Sequence, residues 1–260
     1  MRWLTRHVLP PLVTLALVLL AWWGLVRILD IPAYVLPLPG AVWGALVDGF
    51  ADGSFWPHIA ATVEAASLGF LIGCTAAFLV GALLAESPVF ERFLMPLVVA
   101  LQATPKVALA PLILVWFGFG LTSIVVLVVL ICFFPLFVNT VVGIRGADRD
   151  LIALCRASCA SRSFIFWHVK LPGAASAIFA GLQVAASLAL IGAVVGEFVA
   201  AQRGLGYLIA SSSVSMSIAT MFAGVVILAV IGIAATGIVR LVHMRVVFWE
   251  ALPDDHHRRE

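Results

Sequence analysis

The sequence predicts an all-α, polytopic membrane protein with six transmembrane helices. Three observations carry that expectation. Of its 260 residues, 63% are hydrophobic and only 11% charged, with a mean hydropathy of +1.17; so few polar groups cannot cover a water-facing surface. The apolar residues lie in runs long enough to cross a hydrocarbon core, which takes about 20 helical residues. The charges gather in islands between those runs, the longest from Arg145 to Lys170.

Met1 to Val26 opens with Arg2 and Arg6 and is then charge-free from Val8. It resembles a signal peptide in outline, but it ends in Trp22-Trp23-Gly24 and Arg27, not in a small-residue cleavage site. It reads as a retained first span with a tryptophan pair at its outer interface. Ile28 to His58 is a polar interlude with Asp30, Asp48, Asp52 and four prolines. Within it Val42, Trp43, Leu46, Val47 and Phe50 share one face of a short helix between Pro39 and Gly53. Two readings stand for that helix: one lying along the outer membrane surface, or an ordinary packed loop helix.

A second span is expected over 65–85, between Glu64 and Glu86, and a charged turn from Glu86 to Arg92 follows it. From Phe93 to Ile144 Lys106 is the lone charge. That stretch divides at Gly118-Phe119-Gly120 into a third span (about 94–117) and a fourth (about 122–143). Pro105 and Pro111 predict a kinked or broken third helix. A fifth span runs from Leu171 to Gly196, a glycine-bearing turn from Gln202 to Gly206, and a serine-rich outer segment from Ser211 to Thr220. A sixth span covers about 221–239, and the tail 254–260 is polar.

Six spans place both termini on one side. If that side is cytosolic, Arg2, Arg6, Arg92, Arg145, Arg149, Arg156, Arg162, Lys170, Arg240, Arg245, Arg258 and Arg259 lie inside and only Arg27 and Arg203 outside. The positive-inside rule then decides for cytosolic termini and a cytosolic 145–170 loop, and the plasma (inner) membrane is the expected location. Seven charges in that loop, Arg145, Asp148, Arg149, Asp150, Arg156, Arg162 and Lys170, would cost several kcal/mol each in hydrocarbon. Its pattern is helix, turn, helix: Asp148 and Asp150 suit one helix N-terminus and Ser161 can cap the next. A small helical pair at the membrane face reads as a docking surface.

The chemistry of catalysis is missing from the text. There is no phosphate-loop motif and no Gly-Lys pair, no G-x-S-x-G and no H-E-x-x-H. No catalytic residue and no metal site is therefore expected. Cys155 and Cys159 are four apart, but no histidine pair accompanies them, and no C-x-x-C occurs. Three ionisable residues fall in or near spans: Glu64, Lys106 and Glu197. Each invites a functional reading, yet Glu64 and Glu197 are near span ends and can reach headgroups, and a lysine can snorkel or sit in a small aqueous cavity. Lys106 and Glu197 are the candidates for a translocation pathway; Arg203, Gly204 and Gly206 are those for an external mouth. In the fifth span Gly173, Ala177, Gly181, Ala185, Ala189 and Ala193 recur at a spacing of four, which permits close helix approach; packing within the subunit is the favoured reading.

Counting back from Leu171-Pro172, the loop resembles the cytoplasmic "EAA" loop, E-A-A-x3-G-x9-I-x-L-P, of permease subunits of ABC importers. The register puts its E-A-A on Ala153, Leu154 and Cys155, its glycine on Cys159 and its branched residue on Val169. Leu171, Pro172 and Val169 match; the glutamate and glycine do not. The surrounding PKVALAPLILVWFGFG, FPLFVNTVVGIR, LPGAASAIFAGLQVAASLALIGAVVGEF and QRGLGYLI resemble the permeases for nitrate, sulfonates, taurine and pyrimidine precursors.

That resemblance implies a type I ABC importer permease fold: an N-terminal helix and external segment (1–57), a permease domain (58–246) with its coupling loop (145–172), and a cytosolic tail (247–260). It implies a pair of ATPase subunits that hold ATP and Mg, with no cofactor on this chain. It also implies an external solute-binding protein, a permease homodimer whose seam the small residues of the fifth span could form, and surrounding lipid; no nucleic acid is expected. Ala153, Leu154, Cys155, Arg156, Ala157, Cys159, Val169, Leu171 and Pro172 would form the ATPase-coupling surface. The alternative is a six-helix, ion-coupled secondary transporter or channel, which should show a midplane acid or an inverted repeat.

Overall fold

A computed structural model describes residues 9–87, 89, 92, 93, 96, 98, 100, 102 and 104–250. The expectations for Arg2, Arg6, the tail 254–260 and most of the 88–103 stretch lie outside the described residues. Among the described residues every regular element is helical: α1 Leu9–Ile28, α2 Pro39–Ala51, α3 Phe55–Glu86, a 3-10 turn Lys106–Leu109, α4 Ala110–Phe117, α5 Leu121–Arg145, α6 Arg149–Ala157, α7 Arg162–Ile165, a π turn Phe166–Lys170, α8 Leu171–Ala200, α9 Leu205–Val214 and α10 Ile218–Val246, with a closing 3-10 turn Phe248–Glu250. Among the described residues four helical stretches are long and apolar enough to cross a membrane: 55–86, 121–145, 162–200 and 218–246. Shorter apolar stretches at Val13–Ile28 and Lys106–Phe117 occupy the places of the expected first and third spans.

Helix α5 is the centre of the bundle, packed between α3 and α8. Its large side chains fill the core: Leu127, Val128, Leu136 and Phe137 are almost wholly buried. Its neighbours present small residues in return. A Cβ at Gly69 or Gly73 of α3 would meet Val128 or the backbone of Val129, at 2.4 Å and 3.0 Å. On the other side, one at Gly181 of α8 would lie 2.8 Å from Asn139 Cβ and 3.1 Å from Leu136 Cα. The small-residue series of the fifth span therefore packs inside the subunit; Gly173, with nothing within 4 Å, lies off that contact.

Three boundaries differ from expectation. The second span starts at Phe55, ten residues early, so a domain boundary at 57/58 would cut through α3. Pro57 is in the first turn, where a missing N–H breaks no intrahelical bond. The second docking helix does not stop before the fifth span: α7, the π turn and α8 form one 39-residue helical stretch. The wide turn, in which Leu171 N–H donates to Phe166 O, accommodates Pro172 without a break. Finally, α6 ends at Ala157, so Cys155 and Cys159 do not stack on one helix face.

The predicted break before α4 is present, Pro105 being extended (φ −68°, ψ 95°). Gly118 and Gly120, at φ +76° and +118°, turn the chain into α5. Short α2 packs mainly on α10 and buries Val42, while Trp43 and Val47 stay exposed; the five apolar residues do not share one environment.

Candidate functional site

At one end of the bundle lies the charged loop. Asp148 caps α6, its Oδ1 accepting from the N–H groups of Asp150 and Leu151 at 2.8 and 3.2 Å. Ser161 caps α7, its Oγ accepting from Phe164 N–H at 3.2 Å. Between them α6 closes in a Schellman turn: Ala160 N–H donates to Cys155 O at 2.9 Å and Cys159 N–H to Arg156 O at 3.0 Å. That geometry places Cys159 at φ +56°, a left-handed position that favours glycine. Ala153, Leu154, Arg156, Ala157 and Cys159 are exposed along α6 and its turn, and Cys155 is half-buried. Leu151 and Leu154, 49% and 63% exposed, form an exposed apolar ridge. Val169, Leu171 and Pro172 are half-buried in the continuous helix beyond; the loop thus brings 153–159 together at its tip and leaves 169–172 at its root.

Within the bundle, Lys106 borders a cavity of about 470 Å³ with Gln102, Val107, Ile131, Phe134 and Asn139. Its ammonium donates to Gln102 O at 3.2 Å and lies 4.5 Å from the centroid of the Phe134 ring, a cation–π distance. No carboxylate pairs with it among the described residues. Asn139 donates to Pro135 O at 2.8 Å, one turn back in α5, where Pro135 leaves the helix a hydrogen bond short.

At the opposite end, Glu197 is 1% exposed; it does not reach the headgroups. Three consecutive amides at the start of α9 each meet a side chain. Gly204 N–H donates to His58 Nδ1 at 3.1 Å, Leu205 N–H to Thr62 Oγ1 at 2.8 Å, and Gly206 N–H to Glu197 Oε2 at 2.7 Å. A carboxyl oxygen here accepts one of the amides that a helix N-terminus leaves without an intrahelical partner. Gly204 (φ +130°) has no room for a side chain, since a Cβ would stand 2.3 Å from Glu197 Cδ. Of the mouth candidates, Arg203 is exposed while Gly204 and Gly206 are buried in this clamp. Glu64 is exposed on α3. His58 and Thr62 were not singled out from sequence; as an i, i+4 pair they share a helix face, a signal visible only once α3 is known to start at Phe55.

Residues 69–248 match the binding-protein-dependent transport system inner membrane component family. The chain belongs to this family. It is similar to the riboflavin transport system permease protein RibX of Chloroflexus aurantiacus, 39% identical over 92% of this chain and 89% of the relative. The formylaminopyrimidine transport permease protein ThiX of Halalkalibacterium halodurans is 32% identical over 86% and 89%. The taurine transport system permease protein TauC of Escherichia coli is 30% identical over 95% and 92%.

The protein is thus a permease subunit of an ABC transporter for a small solute, a multi-pass membrane protein with the type I permease fold. It is non-catalytic, and ATP hydrolysis lies in a separate subunit. An ATPase and a solute-binding protein belong to such a permease's transport system. Family membership decides against the ion-coupled alternative.

Proposed function

We propose that this permease forms the translocation pathway of an ATP-driven importer for a small solute of the sulfonate, nitrate, taurine or pyrimidine-precursor class. An external solute-binding protein delivers the solute, and both termini and the 145–172 loop are cytosolic. Two copies of the chain pair around the pathway and two ATPase subunits, which hold the ATP and Mg, dock on the loops. The apolar ridge of α6, flanked by Ala153, Cys155, Arg156, Ala157 and Cys159, enters the ATPase surface, and Val169, Leu171 and Pro172 carry the movement into α8.

The observation that carries the pathway reading is Lys106 beside its cavity. Among the described residues its charge meets a carbonyl oxygen and a ring face and no carboxylate, which leaves it available to an anionic group on the solute. The amide of Gln102 and the Phe134 ring supply a polar and a flat apolar contact beside it. Glu197, buried in the clamp, borders the pathway through the turn it holds, and Arg203 remains exposed at the external mouth.

The test is uptake by the reconstituted transporter carrying Lys106→Met or Lys106→Arg, across taurine, an alkanesulfonate, nitrate and formylaminopyrimidine. The expected result is retained transport of one of these by Arg and loss by Met. Equal transport by Met and wild type at every solute concentration makes Lys106 a packing residue and removes the charge from the pathway.

A further inference from the structure

The cavity beside Lys106, about 470 Å³, is large for an inorganic anion and of a size that holds an organic solute. Its α5 lining, from Ile131 to Asn139, lies inside that span, away from both ends. Lys106 stands at one side, its ammonium over the Phe134 ring. The open walls are apolar: Val107 and Ile191 are 50% and 52% exposed, and Val138 and Leu188 are half-buried. The other polar groups of the lining are neutral amides, Gln102 and Asn139, and Asn139 already donates to Pro135 O. The spans carry no acid: segments 65–85, 93–144, 171–196 and 204–239 contain no Asp or Glu, and Lys106 is their lone charge. A second copy of the chain brings the same segments and so adds no acid. Glu64 and Glu197 fall just outside them, and Glu197 Oε2 is taken by the Gly206 amide.

We propose that the solute is an organic monoanion, a sulfonate or carboxylate, with an uncharged apolar body, and that the cavity rejects both bare inorganic anions and solutes carrying an ammonium group. The inference rests on the reading of Lys106 as the anion's partner and narrows it. One fixed positive charge matches one anionic head. A body laid along Val107, Val138, Leu188 and Ile191 takes those side chains out of water as it enters, a gain that nitrate, with no carbon, does not make. An ammonium on the solute would lose its hydration, meet no carboxylate and sit in the field of Lys106. An unpaired charge in such a site is strongly disfavoured. The lysine thus selects the head of the solute, and the acid-free walls select its body.

The experiment is calorimetric titration of the permease with its ATPase in lipid nanodiscs. The solute-binding protein is left out, so the selectivity read is that of the membrane pathway. The probes are a matched pair, propanesulfonate and its terminal-amino derivative, which differ by an ammonium group, together with butanesulfonate and nitrate. Propanesulfonate should bind at least about tenfold more tightly than the amino derivative, and the methylene added in butanesulfonate should tighten binding by about two- to fourfold. Lys106→Arg should keep this order, and Lys106→Met should lose the binding of both alkanesulfonates. Equal affinity for the matched pair, or nitrate bound as tightly as butanesulfonate, overturns the inference; if Lys106→Met then still abolishes binding, the lysine reading survives without it. Alkanesulfonate binding unchanged in Lys106→Met overturns both. Binding of none of the probes overturns the inference and leaves the lysine reading to the uptake measurement above.

Discussion

Glu197 Oε2 accepts the backbone N–H of Gly206 at 2.7 Å, fastening the end of α8 to the first turn of α9. Glu197→Gln keeps an acceptor of the same shape and should melt close to wild type. Glu197→Ala leaves a buried N–H unpaired, at a cost of about 1–3 kcal/mol, and should lower the Tm by several degrees. Gly204→Ala should do at least as much harm, because it forces a Cβ into the carboxylate at a positive φ. Thermal melting of the purified permease ranks the three; an unperturbed Gly204→Ala would dissolve the clamp as described.

At the other end the turn residue Cys159 has φ +56°. Glycine relieves a left-handed backbone by about 1 kcal/mol, whereas a β-branched residue worsens it. Cys159→Gly should therefore transport normally and melt slightly higher, and Cys159→Val should melt lower. A large loss of transport in the glycine variant would instead show that the thiol is used.

The exposed ridge of α6 predicts an association defect without a folding defect. Leu154→Arg or Ala157→Asp should abolish co-purification of the ATPase while leaving the monodispersity of the permease unchanged. Undiminished ATPase yield with both variants would move the docking surface elsewhere.

Packing around α5 predicts a contrast within one helix. Gly181→Val overpacks against Asn139 and the Leu136 backbone and should cost about 1–3 kcal/mol. Gly173→Ala has open space and should be neutral. Melting curves of the pair decide whether the close approach to α5, and not small size in itself, is what α8 requires.

Features written in residue type were legible in the sequence. Asp148 and Ser161 cap because a short acceptor side chain before a helix has few other uses, and Gly118 and Gly120 turn because an apolar run must reverse somewhere. The Leu171-Pro172 register located Cys159 at a turn, though not its hydrogen bonds. What stayed hidden depended on tertiary context. Pro57 and His58 looked like punctuation after a polar interlude, which concealed the first turns of α3 and with them His58 and Thr62. Glu197 reads as a residue that can reach the surface; its partner amide, that of Gly206, lies nine residues on, behind a turn whose direction no local pattern specifies. The π turn at Phe166–Lys170 was equally invisible, since proline at 172 reads as a helix start when the preceding turn is assumed to be regular.

The uninterrupted stretch from Arg162 to Ala200 is about 58 Å long at 1.5 Å per residue, well beyond the roughly 30 Å of hydrocarbon. It is a single lever. One end begins at the capping hydroxyl of Ser161, and the other carries Glu197 and its grip on Gly206. A few degrees of tilt imposed at the short arm become a displacement of several ångströms at the far arm, with no joint between them to absorb it. The widened turn at 166–170 lies close to the Ser161 end, so the whole run from Leu171 to Ala200 beyond it is regular α-helix.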